Sequence, residues 1–144
     1  MVVATRSALL QRDGDVVDMD GISPVYFEGV ANGNYYVAIK HRNHLNVMSL
    51  QPLVLDSGNS VIDFSNPNFL TYGTGGQKEI NGMKALWAGD ATEDNSIDSA
   101  DRSATWNGRN QLGYLVTDVN LDGFCDSGDR SVTWNNRNTA GQMP

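Results

Sequence analysis

The fold class the sequence predicts is mainly β, with a small α module over the last sixty or so residues. Three observations carry that expectation. Short runs of β-forming residues, separated by Gly, Asn and Asp turn signals, fill residues 1–82 without a 3.6-residue period. From Met83 the character changes, and a unit is written twice at an offset of 28 residues. Each copy opens with a twelve-residue loop rich in oxygen-bearing side chains.

The strands are expected in order. "VVATRSALLQ" (2–11) is mostly apolar and leads into Asp13-Gly14, a hairpin-turn dipeptide. "DVVDM" (15–19) is a short second strand, and "PVYFEGV" (24–30) alternates before the Asn32-Gly33 turn. In "NYYVAIKHRN" (34–43), Tyr35, Val37 and Ile39 face one way and Tyr36, Ala38 and Lys40 the other. "NVMSLQPLVL" and "SVIDF" bring the number to about six, at the turn spacing of a small sandwich. Residues 65–82, rich in Gly, Asn and Thr, are read as a linker. The expected domains are therefore a β-sandwich over 1–82 and a duplicated module over 83–144.

Charge narrows the function. The chain of 144 residues carries a net charge of −7, which argues against nucleic acid and anionic membrane surfaces as partners. No apolar run approaches the roughly 20 residues of a membrane helix. One cysteine, Cys125, excludes an intrachain disulfide and leaves the redox compartment open. The opening residues lack the basic and apolar regions of a signal peptide, so the chain is expected to be cytosolic or a processed part of an exported protein.

The acidic residues concentrate in the repeat. "KALWAGDATEDNSIDSADRSATWNGRN" (84–110) slides onto "LGYLVTDVNLDGFCDSGDRSVTWNNRN" (112–138), with Asp90, Asp94, Asp98 and Asp101 falling on Asp118, Asp122, Asp126 and Asp129. Calcium is a hard cation that takes six to eight oxygens, and a twelve-residue loop wraps it through positions 1, 3, 5, 7, 9 and 12. Loop 1 offers Asp90, Thr92, Asp94, the Ser96 carbonyl, Asp98 and Asp101. Loop 2 offers Asp118, Asn120, Asp122, the Phe124 carbonyl, Asp126 and Asp129. Gly123 permits a sharp turn at position 6, where loop 1 has Asn95. Ile97 and Cys125 hold position 8, expected to be apolar and to pack on the partner loop. Two Ca²⁺ ions are expected, the first site being weaker because Thr92 is a poorer ligand than Asn120. A bare pair of acidic surface turns is the competing reading, disfavoured by the match occurring twice in register.

The duplicated loop, the Asp at position 12 and the small residues Ser99-Ala100 and Ser127-Gly128 resemble dockerin modules, over residues 84–138. The resemblance implies a loop followed by one helix, used twice with near two-fold symmetry. It does not imply cohesin binding, since "RSATWNGRN" lacks a leucine-rich basic helix face. "VYFEGVANGNYYVAI" is similar to prealbumin-like (Ig-like) sandwich domains, and the whole chain resembles C-terminal regions of bacterial secreted and cell-surface proteins. These likenesses imply an extracellular or cell-surface location and no reaction.

Four further features have two readings each. Asp13, Asp15, Asp18 and Asp20 suggest a third cation site or plain turns. His41 and His44 suggest zinc, or a strand end whose side chains bond loop backbone and stitch the first domain to the second; residues three apart on one strand face opposite ways, which weighs against zinc. Trp106 and Trp134 suggest a sugar-stacking platform or, as equivalent residues of a duplication, core. Asp98-Ser99-Ala100 resembles a bacterial O-glycosylation signal.

No nucleophile elbow, phosphate loop or HExxH occurs, so a non-enzymatic role is expected. The first expectation is a calcium-rigidified structural or adhesion module, including a subunit of a surface fibre assembled through an unpaired edge at residues 2–10. The second is a docking module for a cohesin-like receptor or for tethering a secreted enzyme. The third is a carbohydrate-binding domain.

Overall fold

The computed structural model describes residues 1–11, 14–56 and 61–144. Among the described residues a run of short strands comes first, and two short helices follow among the last four strands. β1 (Leu9–Leu10) pairs with β2 (Val16–Val17), and β3 (Gly33–Tyr35) with β6 (Leu53–Leu55). β4 (Ala38–His41) and β5 (His44–Met48) form the longest hairpin. β7 (Lys78–Ile80) and β8 (Met83–Ala85) form another. β9 (Ser96–Ile97) pairs with β12 (Thr139–Ala140), and β10 (Gln111–Leu112) with β11 (Phe124–Cys125). The helices are α1 (Ser99–Asn107) and α2 (Ser127–Asn135). The class is mainly β with a small α component, as predicted.

The expected six-stranded arrangement differs in detail. Every sheet among the described residues is two-stranded. The run 2–11 contributes only Leu9–Leu10, and 24–30 contributes only an isolated bridge from Pro24 to Val17. Val2, Val3 and Tyr26 stay exposed, so these β-forming residues have no half-buried surface on which their preference could act. The run read as a linker holds a hairpin instead. Asn81 and Gly82 take φ of 52° and 79° between β7 and β8, and Asn-Gly in that conformation is a tight hairpin turn.

The chain falls into two compact units, 1–34 with 54–61 and 35–53 with 62–144, a different division from one at residue 82. In the first unit no described residue is buried. Asp18 pairs with Arg6 at 2.5 Å, and Asp20 closes a local turn by accepting the Ile22 and Ser23 amides and the Ser23 hydroxyl. Those bonds, led by the hydroxyl, hold Asp20 down to about 2. Asp13 lies outside the described residues.

Among the described residues, the buried apolar ones all lie in the second unit: Leu45 and Val47 of β5, then Ala91, Ile97, Val119 and Cys125. The expected alternation is present, with Tyr35, Val37 and Ile39 half-buried and Tyr36, Ala38 and Lys40 exposed. The repeats are tied crosswise. Ile97 of loop 1 pairs with Thr139, which follows α2, and Cys125 of loop 2 pairs with Gln111, which follows α1. Shifting either pair by 28 residues generates the other, so the two halves close on each other with near two-fold symmetry.

Candidate metal centre

The two loops fold alike because their side chains bond their own backbone. In loop 1 Asp90 accepts the amides of Asp94 and Asn95, both at 3.0 Å, and Asp94 accepts that of Ser96. In loop 2 Asp118 accepts those of Asp122 and Gly123, and Asp122 that of Phe124. These bonds pull positions 4 and 6 into left-handed backbone. Glu93 and Asn95 have φ of 60° and 65°, and Leu121 and Gly123 have 63° and 89°. Asn95 tolerates this without a glycine, and its Oδ1 accepts the Asn46 amide of β5 at 3.2 Å.

Positions 9 and 12 do double duty. Asp98 and Asp126 are the N-caps of α1 and α2, accepting the Ala100 and Gly128 amides at 2.6 Å. Asp101 and Asp129 return the bond from the first turn, to the Asp98 and Asp126 amides at 2.8 Å, completing capping boxes. Their second oxygens accept from positions 2 and 3: Asp101 from the Thr92 amide and hydroxyl, Asp129 from the Val119 and Asn120 amides.

Burial sorts the ligand candidates. Thr92, Asp94, Asp98, Asn120, Asp122 and Asp126 are exposed, while Ser96 and Phe124 sit in β9 and β11. Asp90 and Asp118 are only 3% and 2% exposed, and Asp101 and Asp129 are at 0%. Among the described residues no cationic side chain forms an ion pair with these four carboxylates. Burial pushes the Asp90 carboxyl up, and the negative charges of Asp101 and Asp94 add to it, against the two amide bonds. Buried carboxylates without a counter-charge are costly, and backbone amides offset only part of that cost. An all-oxygen set around buried negative charge suits a hard divalent cation. As placed, no three His, Cys, Asp or Glu side chains among the described residues are gathered closely enough to hold a metal ion. Asp94, Asp98, Asn120, Asp122 and Asp126 instead accept backbone amides of their own loop or helix start.

The β4–β5 turn inserts between the loops. Asn43 is fully buried; its carbonyl accepts the Gly89 and Asp90 amides, and its Nδ2 donates to the Val116 and Asp118 carbonyls. Arg42 Nε donates to the Leu115 carbonyl, and its guanidinium lies 3.6 Å from the centre of the Tyr114 ring. This is the backbone-bonding reading of "KHRNHL". The opposite-face argument against a histidine pair does not hold, however. A turn separates His41 from His44, making them cross-strand partners with their Nδ1 atoms 2.9 Å apart. Burial lowers both, with Arg42 contributing, and His44 is pushed down to about 3.

Trp106 and Trp134 are not core. They are 48% and 46% exposed, and the residues buried beside them in sequence are Thr105 and Thr133. Each indole carries two guanidinium groups: Arg109 and Arg130 at Trp106, Arg137 and Arg102 at Trp134, within 3.9–4.8 Å of the ring centres. The cross-helix pairs Arg130–Trp106 and Arg102–Trp134 are again related by the 28-residue shift. Position 8 is buried as expected, and Cys125 Sγ lies 3.3 Å from the Thr105 carbonyl of the other repeat. Ser99 of the glycosylation-like tripeptide is exposed in the first turn of α1, its carbonyl accepting the Ser103 hydroxyl.

Sequence reasoning missed the capping boxes, although Asp-x-x-Asp before a helix signals one. Asn43 is among the strand-end residues expected to bond loop backbone, but no spacing rule marks it as the one buried side chain that meets both loops. Among known proteins, no family model, curated protein or solved structure matches the chain.

Proposed function

We propose that residues 83–144 are a dockerin-like module that binds two calcium ions, one per loop, within a non-enzymatic structural or adhesion part of an extracellular or cell-surface protein. The observation that carries this reading is the burial of Asp90, Asp101, Asp118 and Asp129 with no cationic partner among the described residues. Asp90, Thr92, Asp94, the Ser96 carbonyl, Asp98 and Asp101 would hold one ion. Asp118, Asn120, Asp122, the Phe124 carbonyl, Asp126 and Asp129 would hold the other. The crosswise ladders and repeated capping boxes support a dockerin-like pair of loop–helix units. The two-stranded ladders lend no support to a prealbumin-like sandwich over 1–82.

A ligand that binds only the folded state stabilises it by about 2.7 kcal/mol at a hundredfold excess over Kd. Thermal melts followed by circular dichroism, in calcium and in EGTA, test the reading. A higher melting temperature in calcium is expected, with two ions bound by calorimetry; identical melts would overturn it.

A docking role is the second reading, favoured by one observation. Exposed Trp106 and Trp134 each carry two arginines, half-buried Arg102 and Arg130 from the helices and exposed Arg109 and Arg137 just beyond them, on an otherwise acidic chain. Pull-down with a cohesin-like receptor, against an R102A/R130A control, separates docking from a purely structural part.

A further inference from the structure

We propose that Asn43 couples the two loops, so that filling one raises the calcium affinity of the other; this rests on the calcium reading above. Residues 88–90 and 116–118 are equivalent segments, 28 positions apart, leading into position 1 of each loop. Asn43 touches both. Its main-chain carbonyl accepts the Gly89 amide at 3.0 Å and the Asp90 amide at 3.1 Å. Its side-chain Nδ2 donates to the Val116 carbonyl at 3.1 Å and the Asp118 carbonyl at 2.6 Å. The side chain has no freedom to swing away, being fully buried with its Oδ1 taken by His44 Nδ1 at 2.8 Å.

The symmetry of the repeat shows why a residue from outside it is needed. The Ala88 carbonyl accepts from Asn136 Nδ2 at 2.8 Å. By the 28-residue shift, the Val116 carbonyl should accept from residue 108, but that residue is Gly108 and has no side chain. None fits there, since a Cβ would stand 2.6 Å from Thr117 Oγ1. Asn43 supplies the missing donor, and its peptide is bonded to the start of the opposite loop. Position 1 of loop 1 and position 1 of loop 2 are therefore joined through one buried residue. Closure of a loop around an ion that shifts its first residue is transmitted to the other through this residue, as a coupling between two distinct sites requires.

Replacing the side chain cuts the bridge at its loop 2 end and leaves the main-chain bonds to Gly89 and Asp90. Calorimetry on the full chain in four forms tests this: wild type, D94A to disable loop 1, N43A, and N43A/D94A. D94A is expected to lower the loop 2 affinity at least about fivefold when Asn43 is present, the lower end of typical couplings, and by less than about twofold in the N43A background. An equal fall in both backgrounds, or none in either, overturns the coupling while two independent calcium sites remain. A wild-type chain that binds no calcium overturns the calcium reading and this proposal with it. A second measurement does not depend on N43A folding. In D122A, calcium entering loop 1 must shift the Asn43 side-chain amide resonances and those of the 116–119 amides. Unmoved resonances there also overturn the coupling.

Discussion

At the residue scale, charge and burial decide what each side chain contributes. Asp122 is a charged candidate ligand at position 5 of loop 2, and Thr92 a neutral one at position 3 of loop 1. Asp122→Ala is expected to weaken its site on the order of tenfold or more and Thr92→Ala by less, because ligand charge sets affinity in such loops. Competition with a calcium dye measures both, and a tighter first site would refute this ordering. The histidine pair makes a pH prediction. His44 titrates at 6.5 when unfolded and about 3 when folded, because burial disfavours its charge, with His41 and Arg42 adding repulsion. As pH falls through 6.5, the unfolded chain takes up a proton that the folded chain refuses. The folded state therefore has its full stability from this group above pH 6.5 and loses it downward toward pH 3, by up to about 1.4 kcal/mol per pH unit. His41 is lowered too and acts in the same direction. Urea midpoints at pH 7 and pH 5 should differ more in the wild type than in His44→Gln. Equal differences would show that other groups carry the slope.

At the element scale, the crosswise ladders make each loop depend on a distant segment. β9 of loop 1 is paired by β12, and the Gly141 amide adds a bond to the Asn95 carbonyl at 2.8 Å. Removing residues 139–144 should lower loop 1 affinity and leave loop 2, whose strand pairs with β10, nearly unchanged. Calorimetry would resolve the two, and an equal loss at both sites would contradict the pairing. The helices are held across their outer faces by Arg102–Trp134 and Arg130–Trp106. Exposed contacts of this kind contribute about 0.5–1 kcal/mol each, so R102A and R130A should each cost that much in denaturant unfolding. Both indoles should also be readily quenched by acrylamide, as core tryptophans are not.

At the scale of the whole molecule, stability is expected to be uneven. All buried residues of the described chain lie in 35–53 and 62–144, and none in 1–34 or 54–61. Local opening is easy where few apolar groups are buried. Hydrogen exchange should show slow amides at Leu45 and Val47 and in α1 and α2, and fast exchange throughout 1–34. Calcium should slow exchange only in the second unit. Comparable protection at Leu9, Leu10, Val16 and Val17 would mean that the first unit has a core the described contacts do not reveal. Among the described residues no helix is long and apolar enough to cross a membrane.

What the sequence by itself determined is what short-range bonding dictates. Each loop is closed by side chains bonding amides at most ten residues away, so the twelve-residue spacing alone carries the turn at position 6, the buried carboxylates and the helix that position 9 caps. The alternation of Tyr35, Val37 and Ile39 was legible for the same reason, as was Asn81-Gly82, a hairpin signal present in the run read as a linker. Only the tertiary structure decided the rest. Whether 2–11 and 24–30 become strands depends on partners that local propensity cannot supply, and they stay largely unpaired. Whether Trp106 is core or surface depended on which helix face meets the neighbouring helix, and Thr105 took the buried place. Asn43 lies more than forty residues from both loops, and its role arises because the absent side chain at Gly108 leaves a carbonyl that a distant turn reaches.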